Sequence, residues 1–291
     1  MKLKMDCVPC LVKQALRAAK LAKGDRKVLE LVLRRVMKAL SEEDWDTTPP
    51  ELAQTVYRIV RDLTGVNDPF LEVKRLSNEE ALRLYPKVKS ALRESKDPLL
   101  TAVKAAIAGN VIDFGALEEP VGELERQLLA IMRKGFAIND YPSFRKKALE
   151  AESLLLFADN SGEIVFDKLL IETLNVVRAE PLRRVTLVVK GGPIINDATR
   201  EDVEQVGFDE VPGLEVKTIS NGDPGTGPQR RGEEVYRWVE EHDLVVAKGQ
   251  GNYECLSDRG GLFFLLIAKC PVIAEDLGVK VGDLVLKYNK P

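Results

Sequence analysis

Four apolar runs in this sequence end in short loops that carry most of its candidate chemistry. Asp159-Asn160-Ser161-Gly162-Glu163 follows Ser153–Ala158, and Lys190-Gly191-Gly192-Pro193 follows Val185–Val189. A glycine-rich stretch at 220–228 follows Glu215–Ile219, and Lys248-Gly249-Gln250-Gly251-Asn252 follows Asp243–Ala247. Asp159, Asn160 and Asp197 together offer two carboxylates and an amide oxygen, a hard set suited to Mg²⁺ or Mn²⁺ with water in the remaining positions. Either aspartate alone could instead cap the helix that follows it; their shared placement after two successive strand candidates favours a common site. Glu163 either orients that set or is a first-turn carboxylate facing a helix dipole.

Lys248 lies between a strand candidate and a glycine, where an ammonium beside free backbone N–H groups can hold a phosphate. Lys190 stands in the same setting, as a second phosphate contact or a solvated strand end. Asp223, among glycines, reads as part of a substrate loop or as a plain turn. Asn110 and Asp113, at the end of a helical stretch, could touch substrate or the cation's surroundings; Asn110 could equally close a helix in the left-handed conformation.

Composition narrows the chemistry further. The chain of 291 residues has one histidine, His242. A Ser-His-Asp triad or a Cys-His dyad would have to use it, and a zinc site of the HExxH kind cannot be built. Placed between Glu241 and Asp243, His242 reads as an exposed helix-end residue. Neither GxxxxGK[ST] nor GxGxxG occurs, so no Walker A loop or dinucleotide fingerprint is present. The 43 Lys and Arg balance 46 Asp and Glu to a net charge of −3, which gives no reason to expect a nucleic-acid partner. The start MKLKMDCVPC has no apolar signal core, and the longest apolar stretch, 261–268, is far short of a membrane span. A cytoplasmic protein with no membrane partner is the expectation. Four cysteines are too few for a disulfide scaffold. The pair Cys7 and Cys10 at a helix start has four open readings: redox thiols with lowered pKa, zinc ligands joined by Cys255 and Cys270, a disulfide, or free buried thiols.

The elements that must position these residues fall into two parts. Residues 1–150 read as a mainly helical N-terminal region, with helices from Asp6 to about Lys20, over 27–40, from Thr48 to about Leu63, after a cap at Ser77-Asn78, from Asp97-Pro98 to Gly109, and over about 120–133. From 151 to 291, strands alternate with helices, implying a three-layer α/β/α domain with a mostly parallel sheet. Ligands of such sheets bind beyond the carboxyl ends of the strands, where the four loops gather.

Five blocks, in order, resemble the DUF89 family, the damage-control phosphatases, over essentially the whole chain. They are MDCVPC at the start, GNVIDFG at 109–115, LLLFADNSGEIVFD at 154–167, VVKGGPIINDAT at 188–199 and VAKGQGNYE at 246–254. The CxxC is similar to that of a small microbial subfamily, close to an archaeal member. The resemblance implies a metal-dependent phosphatase acting on phosphomonoesters of small metabolites, such as sugar phosphates or normal and damaged nucleotides. It places metal binding on Asp159, Asn160 and Asp197, phosphate contact on Lys248, and active-site proximity on Asn110 and Asp113. The implied cofactor is a divalent metal, Mn²⁺ or Ni²⁺ first, with Co²⁺ or Mg²⁺ as others. The rival readings are a non-catalytic phosphometabolite-binding module and a redox or structural role centred on the CxxC.

Overall fold

The computed structural model of the protein describes residues 1–111, 123–223, 226–228 and 231–291. Three helices come first: α1 (Cys7–Leu21), α2 (Arg26–Glu42) and α3 (Pro49–Thr64). Leu11, Ala15, Ala18 and Ala19 of α1 pack with Val32, Val36 and Leu40 of α2 and Val56, Tyr57 and Val60 of α3 into a core of their own. Asp25 caps α2 by accepting from Val28 N at 2.9 Å. Pro49 opens α3, and Gly65 closes it at φ +70°, as the proline-first, glycine-last asymmetry of helices predicts.

The next helices are α4 (Leu71–Arg93), α5 (Pro98–Ala108) and α6 (Glu123–Arg133), with a 3₁₀ turn at Gly109–Val111. The alternating part then runs β1 (Phe136–Asn139), α7 (Tyr141–Glu150), β2 (Ser153–Phe157), α8 (Glu163–Val177), β3 (Arg184–Lys190), α9 (Arg200–Val206) and β4 (Leu214–Ile219). It ends with α10 (Gly232–Glu240), β5 (Leu244–Lys248), α11 (Gly249–Leu256), β6 (Leu262–Ile267), α12 (Pro271–Leu277) and β7 (Leu284–Asn289).

The seven strands form one sheet in the order β1-β7-β6-β5-β2-β3-β4. All neighbouring pairs are parallel except β6 with β7. Side-chain alternation divides the strands between two cores. Leu154, Leu156, Leu187, Val246 and Phe263 face one core with α5 and α8, whereas Leu155, Phe157, Val188, Val245 and Phe264 face the other with α10, α11 and α12. The α/β/α layering therefore matches the expectation. Each buried Leu, Ile or Phe of these layers contributes about 1.5–3 kcal/mol through burial. The free edge at β4 is blunted by Arg200 Nη2 on Val216 O (2.9 Å) and Arg231 Nη1 on Thr218 O (3.1 Å), which limits pairing with another chain.

Chain order reverses between β2 and β5, which lie side by side. From β2 the chain winds through α8 to β3 on one side, and from β5 through α11 to β6 on the other. Their helices lie on opposite faces of the sheet, opening the crevice in which open α/β sheets bind ligands.

Several expectations need correcting. The helix expected from Asp6 begins at Cys7, with no side-chain cap from Asp6. The cap expected at Ser77-Asn78 lies inside α4, which starts at Leu71; both side chains are fully buried. Strand β1 falls within the stretch read as mainly helical, and the core beneath it runs across residue 150, joining Ala81, Val103 and Phe144 to Leu154 and Leu187. His242 is not an exposed helix end but 7% exposed. Its Nδ1–H donates to Trp238 O at 2.6 Å. In the neutral ring, Nε2 then accepts from Thr186 Oγ1 at 2.8 Å.

Burial lowers the His242 pKa below its ordinary 6.5, the Trp238 carbonyl opposing. The unfolded chain therefore takes up a proton first as pH falls. The stabilisation from the neutral ring is complete above about pH 6.5 and is lost as pH drops from there toward the lower folded value. Because the chain has one histidine, an NMR titration resolves this ring without assignment. Its midpoint is expected below 6.5; a midpoint at or above 6.5 contradicts the buried neutral ring.

Candidate active site

Two of the predicted loops are joined by their backbones. Asn160 and Asp197 form an isolated antiparallel bridge. Ala198 N donates to Asp159 O (2.8 Å), Ser161 N to Asn196 O (2.9 Å) and Lys190 N to Ala198 O (2.8 Å). The chain after β2 and the chain after β3 thus run together at the strand ends and bring Asp159, Asn160, Asp197 and Lys190 to one place. Neither aspartate is spent on capping: the cap residue of α8 is Gly162, and α9 is capped by Thr199 and Asp202 in a reciprocal box.

The third loop arrives from β5. Gly249 has φ +74°, and a Cβ built there would stand 1.9 Å from Asp159 Oδ2. Only a bare backbone lets β5 pass so close to this carboxylate. A similar approach at Gly109, where a Cβ would come within 2.8 Å of the Phe166 ring, lets Asn110 reach across. Asn110 Nδ2 donates to Asp159 Oδ2 at 3.0 Å and also to Glu163 Oε2. Asn160 Nδ2 donates to the same two carboxylates, at 2.8 and 3.3 Å.

Lys248 departs from the expected phosphate contact. It is fully buried, and its ammonium donates to Ala106 O (2.8 Å), Glu163 Oε1 (2.7 Å) and Asp167 Oδ1 (2.6 Å). An ammonium has three protons, and all three have partners inside the protein. Lys248 therefore anchors Glu163, which accepts the two amides on its other oxygen. Strand alternation could have shown this, since Lys248 shares the parity of Leu244 and Val246, which face the core beside α8. Asp167 escaped sequence reasoning altogether; its signal is a carboxylate four residues after Glu163, on the same face of a helix whose first half is largely apolar.

Lys190 keeps its place at the site. Its ammonium lies 3.4 Å from Asp197 Oδ2, with both side chains largely covered. Asp223 stands apart on an exposed loop, 3.7 Å from Arg61 Nη2. Asp113 lies outside the described residues. All four cysteines are free thiols. Burial pushes the Cys7 thiol above its ordinary value, opposite to the lowering expected at a helix start.

The electrostatics follow from this crowding. Burial, then Glu163, then Asp197 push Asp159 well above the ordinary carboxylate range, with Lys269 and Lys248 opposing. Burial likewise lifts Asp167 to about 7 against the pull of Lys248. Burial acts to lower Lys248 and Lys190, but neighbouring carboxylates outweigh it and hold both above their usual value as cations. Asp159, Glu163, Asp167 and Asp197 thus face Lys248, Lys190 and Lys269, so the carboxylates, when ionised, outnumber the nearby cations. Among the described residues, no three His, Cys, Asp or Glu side chains form a ready-made metal cage. The set here is two carboxylates and an amide, and it fits a hard cation that retains water. Rotation of the Asn160 amide exchanges Nδ2 for Oδ1 and turns a donor into the acceptor that such a cation needs.

The family model of the damage-control phosphatase ARMT1-like domain matches residues 3–285. A damage-control phosphatase of Archaeoglobus fulgidus is 37% identical over 99% of both chains. The damage-control phosphatase PH1575 of Pyrococcus horikoshii is 34% identical over 100% of this chain and 99% of that protein. The crystal structure of a DUF89 family protein, PH1575 from Pyrococcus horikoshii, superposes with a TM-score of 0.87 at 31% identity, with full coverage of both chains.

Two substitutions, with Gly251→Ala as the comparison for the second, test the geometry by stability alone. Lys248→Met strands Glu163 and Asp167 without their cation, and removing one partner of a buried ion pair costs about 3–5 kcal/mol. Denaturant unfolding should show that loss; an unchanged midpoint would free Lys248 for another role. Gly249→Ala should lose at least about 1–3 kcal/mol from its backbone conformation, before the clash with Asp159 is counted. Gly251→Ala, with Pro50 Cγ 3.9 Å from the added carbon, should be neutral or slightly stabilising. Equal effects at the two glycines would contradict the close approach at Asp159.

Proposed function

Because the chain belongs to the damage-control phosphatase ARMT1-like family, we propose that it is a phosphatase of small phosphorylated metabolites whose divalent cation is held by Asp159, Asn160 and Asp197. The observation that carries this reading is the backbone pairing of the loops after β2 and β3, which sets two carboxylates and an amide beside the largely covered Lys190. When bound, the cation supplies Lewis-acid polarisation of a phosphoryl oxygen and lowers the pKa of water. The charge surplus around Asp159 is what it offsets.

The chain's own residues divide the remaining work. Asn110 bridges Asp159 and Glu163 and holds the Asp159 carboxylate in one orientation. Glu163 is itself fixed by Lys248. Lys190 is the cation positioned to meet substrate. Among the described residues its ammonium is paired with Asp197, which leaves donors for the equatorial phosphoryl oxygens as negative charge grows on them. Lys248 and Glu163 act behind that surface, and Asp223 would act only from the loop after β4. The preferred cation is Mn²⁺ or Ni²⁺, with Co²⁺ and Mg²⁺ as alternatives, and the expected setting is the cytoplasm.

Asp159→Asn is the direct test. It removes a metal-binding carboxylate, and loss of even an outer partner of a metal site typically costs 10–100-fold. The kcat/KM for a phosphomonoester with saturating Mn²⁺ should fall by at least about a hundredfold. Its Tm should not fall, because the substitution relieves a buried carboxylate crowded by two others. Wild-type turnover in a folded Asp159→Asn protein would exclude this assignment. Phosphate binding without turnover under any of the four metals would favour the non-catalytic module.

A further inference from the structure

The two metal-site loops are also gripped from outside, by α4. Asn78, fully buried in that helix, accepts from Gly162 N through Oδ1 at 2.6 Å. Its Nδ2 donates to Asp202 Oδ1 and Gln205 Oε1, each at 2.8 Å. One turn earlier, Lys74 lies 3.1 Å from Asp202 Oδ2 and 3.3 Å from Asp68 Oδ2. It also donates to Thr199 Oγ1 at 3.1 Å. Asp202 Oδ2 accepts in addition from Thr199 N and Oγ1, both at 2.8 Å.

The consequence lies in where these contacts fall along the chain. Gly162 is three residues beyond Asp159, and Thr199 is two beyond Asp197. Gly162 is the cap residue of α8 at φ +75°, and the third residue of that helix, Val165, has no side chain that could accept from its N–H, so the N–H is answered from α4. Asn78 therefore holds one carboxylate loop with its acceptor and the helix after the other loop with its donors. Only an amide offers both senses at that spacing. Packing of α4 alone would be met by an apolar side chain of the same volume, since buried polar contacts return little net stability.

We infer that Asn78, through Asp202, is a positioning residue that fixes the separation of Asp159 and Asp197 to suit a divalent cation. The inference rests on the metal-site reading above.

The test measures Mn²⁺ binding to the metal-free chain by calorimetry, with Tm and kcat/KM recorded alongside. Asn78→Asp keeps the acceptor for Gly162 N but sets an acceptor against Asp202 Oδ1. It should weaken Mn²⁺ binding about tenfold or more, the usual loss when a supporting shell is removed. Half-maximal activity should shift to higher metal by the same factor, with kcat at saturating metal changing less. Adding Asp202→Asn restores a donor opposite the new carboxylate and should bring the Mn²⁺ Kd back to within about threefold. If Asn78→Asp does not fold, Asn78→Leu is read against the same tenfold expectation. A folded variant that binds Mn²⁺ within twofold of wild type, whatever its Tm, reduces Asn78 to packing and overturns the inference. A wild-type chain that takes up no Mn²⁺, or an Asp159→Asn control that binds it equally well, removes the site itself and is distinguishable from that result.

Discussion

A carboxylate buried beside other carboxylates is among the most expensive arrangements a fold can hold, and the structure around Asp159 is organised by that cost. Moving an ion out of water costs several kcal/mol even after relaxation, unless charges or hydrogen bonds replace the solvent. Asp159 has Glu163 and Asp197 for neighbours. Compensation comes in layers: amide donors from Asn110 and Asn160 at its Oδ2, Lys248 beneath Glu163, Lys190 against Asp197, and the charge of Lys269. These do not exhaust the negative charge. A fold that held such a surplus for stability alone would gain by replacing it with apolar side chains. The arrangement makes sense as one half of a neutral pair whose other half is a cation.

The sheet order gives that charge its location. Placing β2 beside β5, with their following helices on opposite faces, sets the two strand ends side by side with no helix of the sheet's own connections between them. Gly249 lets β5 deliver its loop against Asp159 without a side chain between them, while Lys248, one residue earlier, points into the core layer below. The same two-residue step therefore yields a buried counter-charge and an open wall.

Much of this was legible in the sequence, for reasons that also explain the gaps. Fully buried parallel strands read as unbroken apolar runs, so β2, β3, β5 and β6 and the loops after them could be located. Asp159, Asn160 and Asp197 could accordingly be singled out by their places in the chain after β2 and β3, which the backbone pairing brings together. Lys248 was located but its direction was not, because a residue at a strand boundary reads as solvated unless its parity is carried through. Asp167 and Lys74 are missed, and Asn78 reads as a cap, for a common reason: each is polar within a helix and satisfied by partners far along the chain. Local sequence cannot show a bond between residues 78 and 162. His242 shows the same limit, its two partners coming from α10 and from β3. Strand β1 is only four residues long and half-buried, too short to display a period.

The helical region does more than cover the crevice. Between Lys190 and Asp197 the chain sends Ile194 into the core formed by α1, α2 and α3, with Ile195 packed at its margin. Ile195 adopts φ +47°, a conformation that costs a β-branched residue about 1–3 kcal/mol. Burial of Ile194 is of the size needed to offset it. The turn this permits folds the chain back so that both polar ends of the segment face Asp159. Arg61 of α3 holds the same loop through Pro193 O, 3.4 Å away, and its neighbour through Gly222 O at 2.9 Å. The strain is thus set where it returns Asp197 to the site, and its compensation sits in a different core. A helical region detached from the sheet would leave that loop without the burial that maintains its turn, so the site depends on both parts of the molecule.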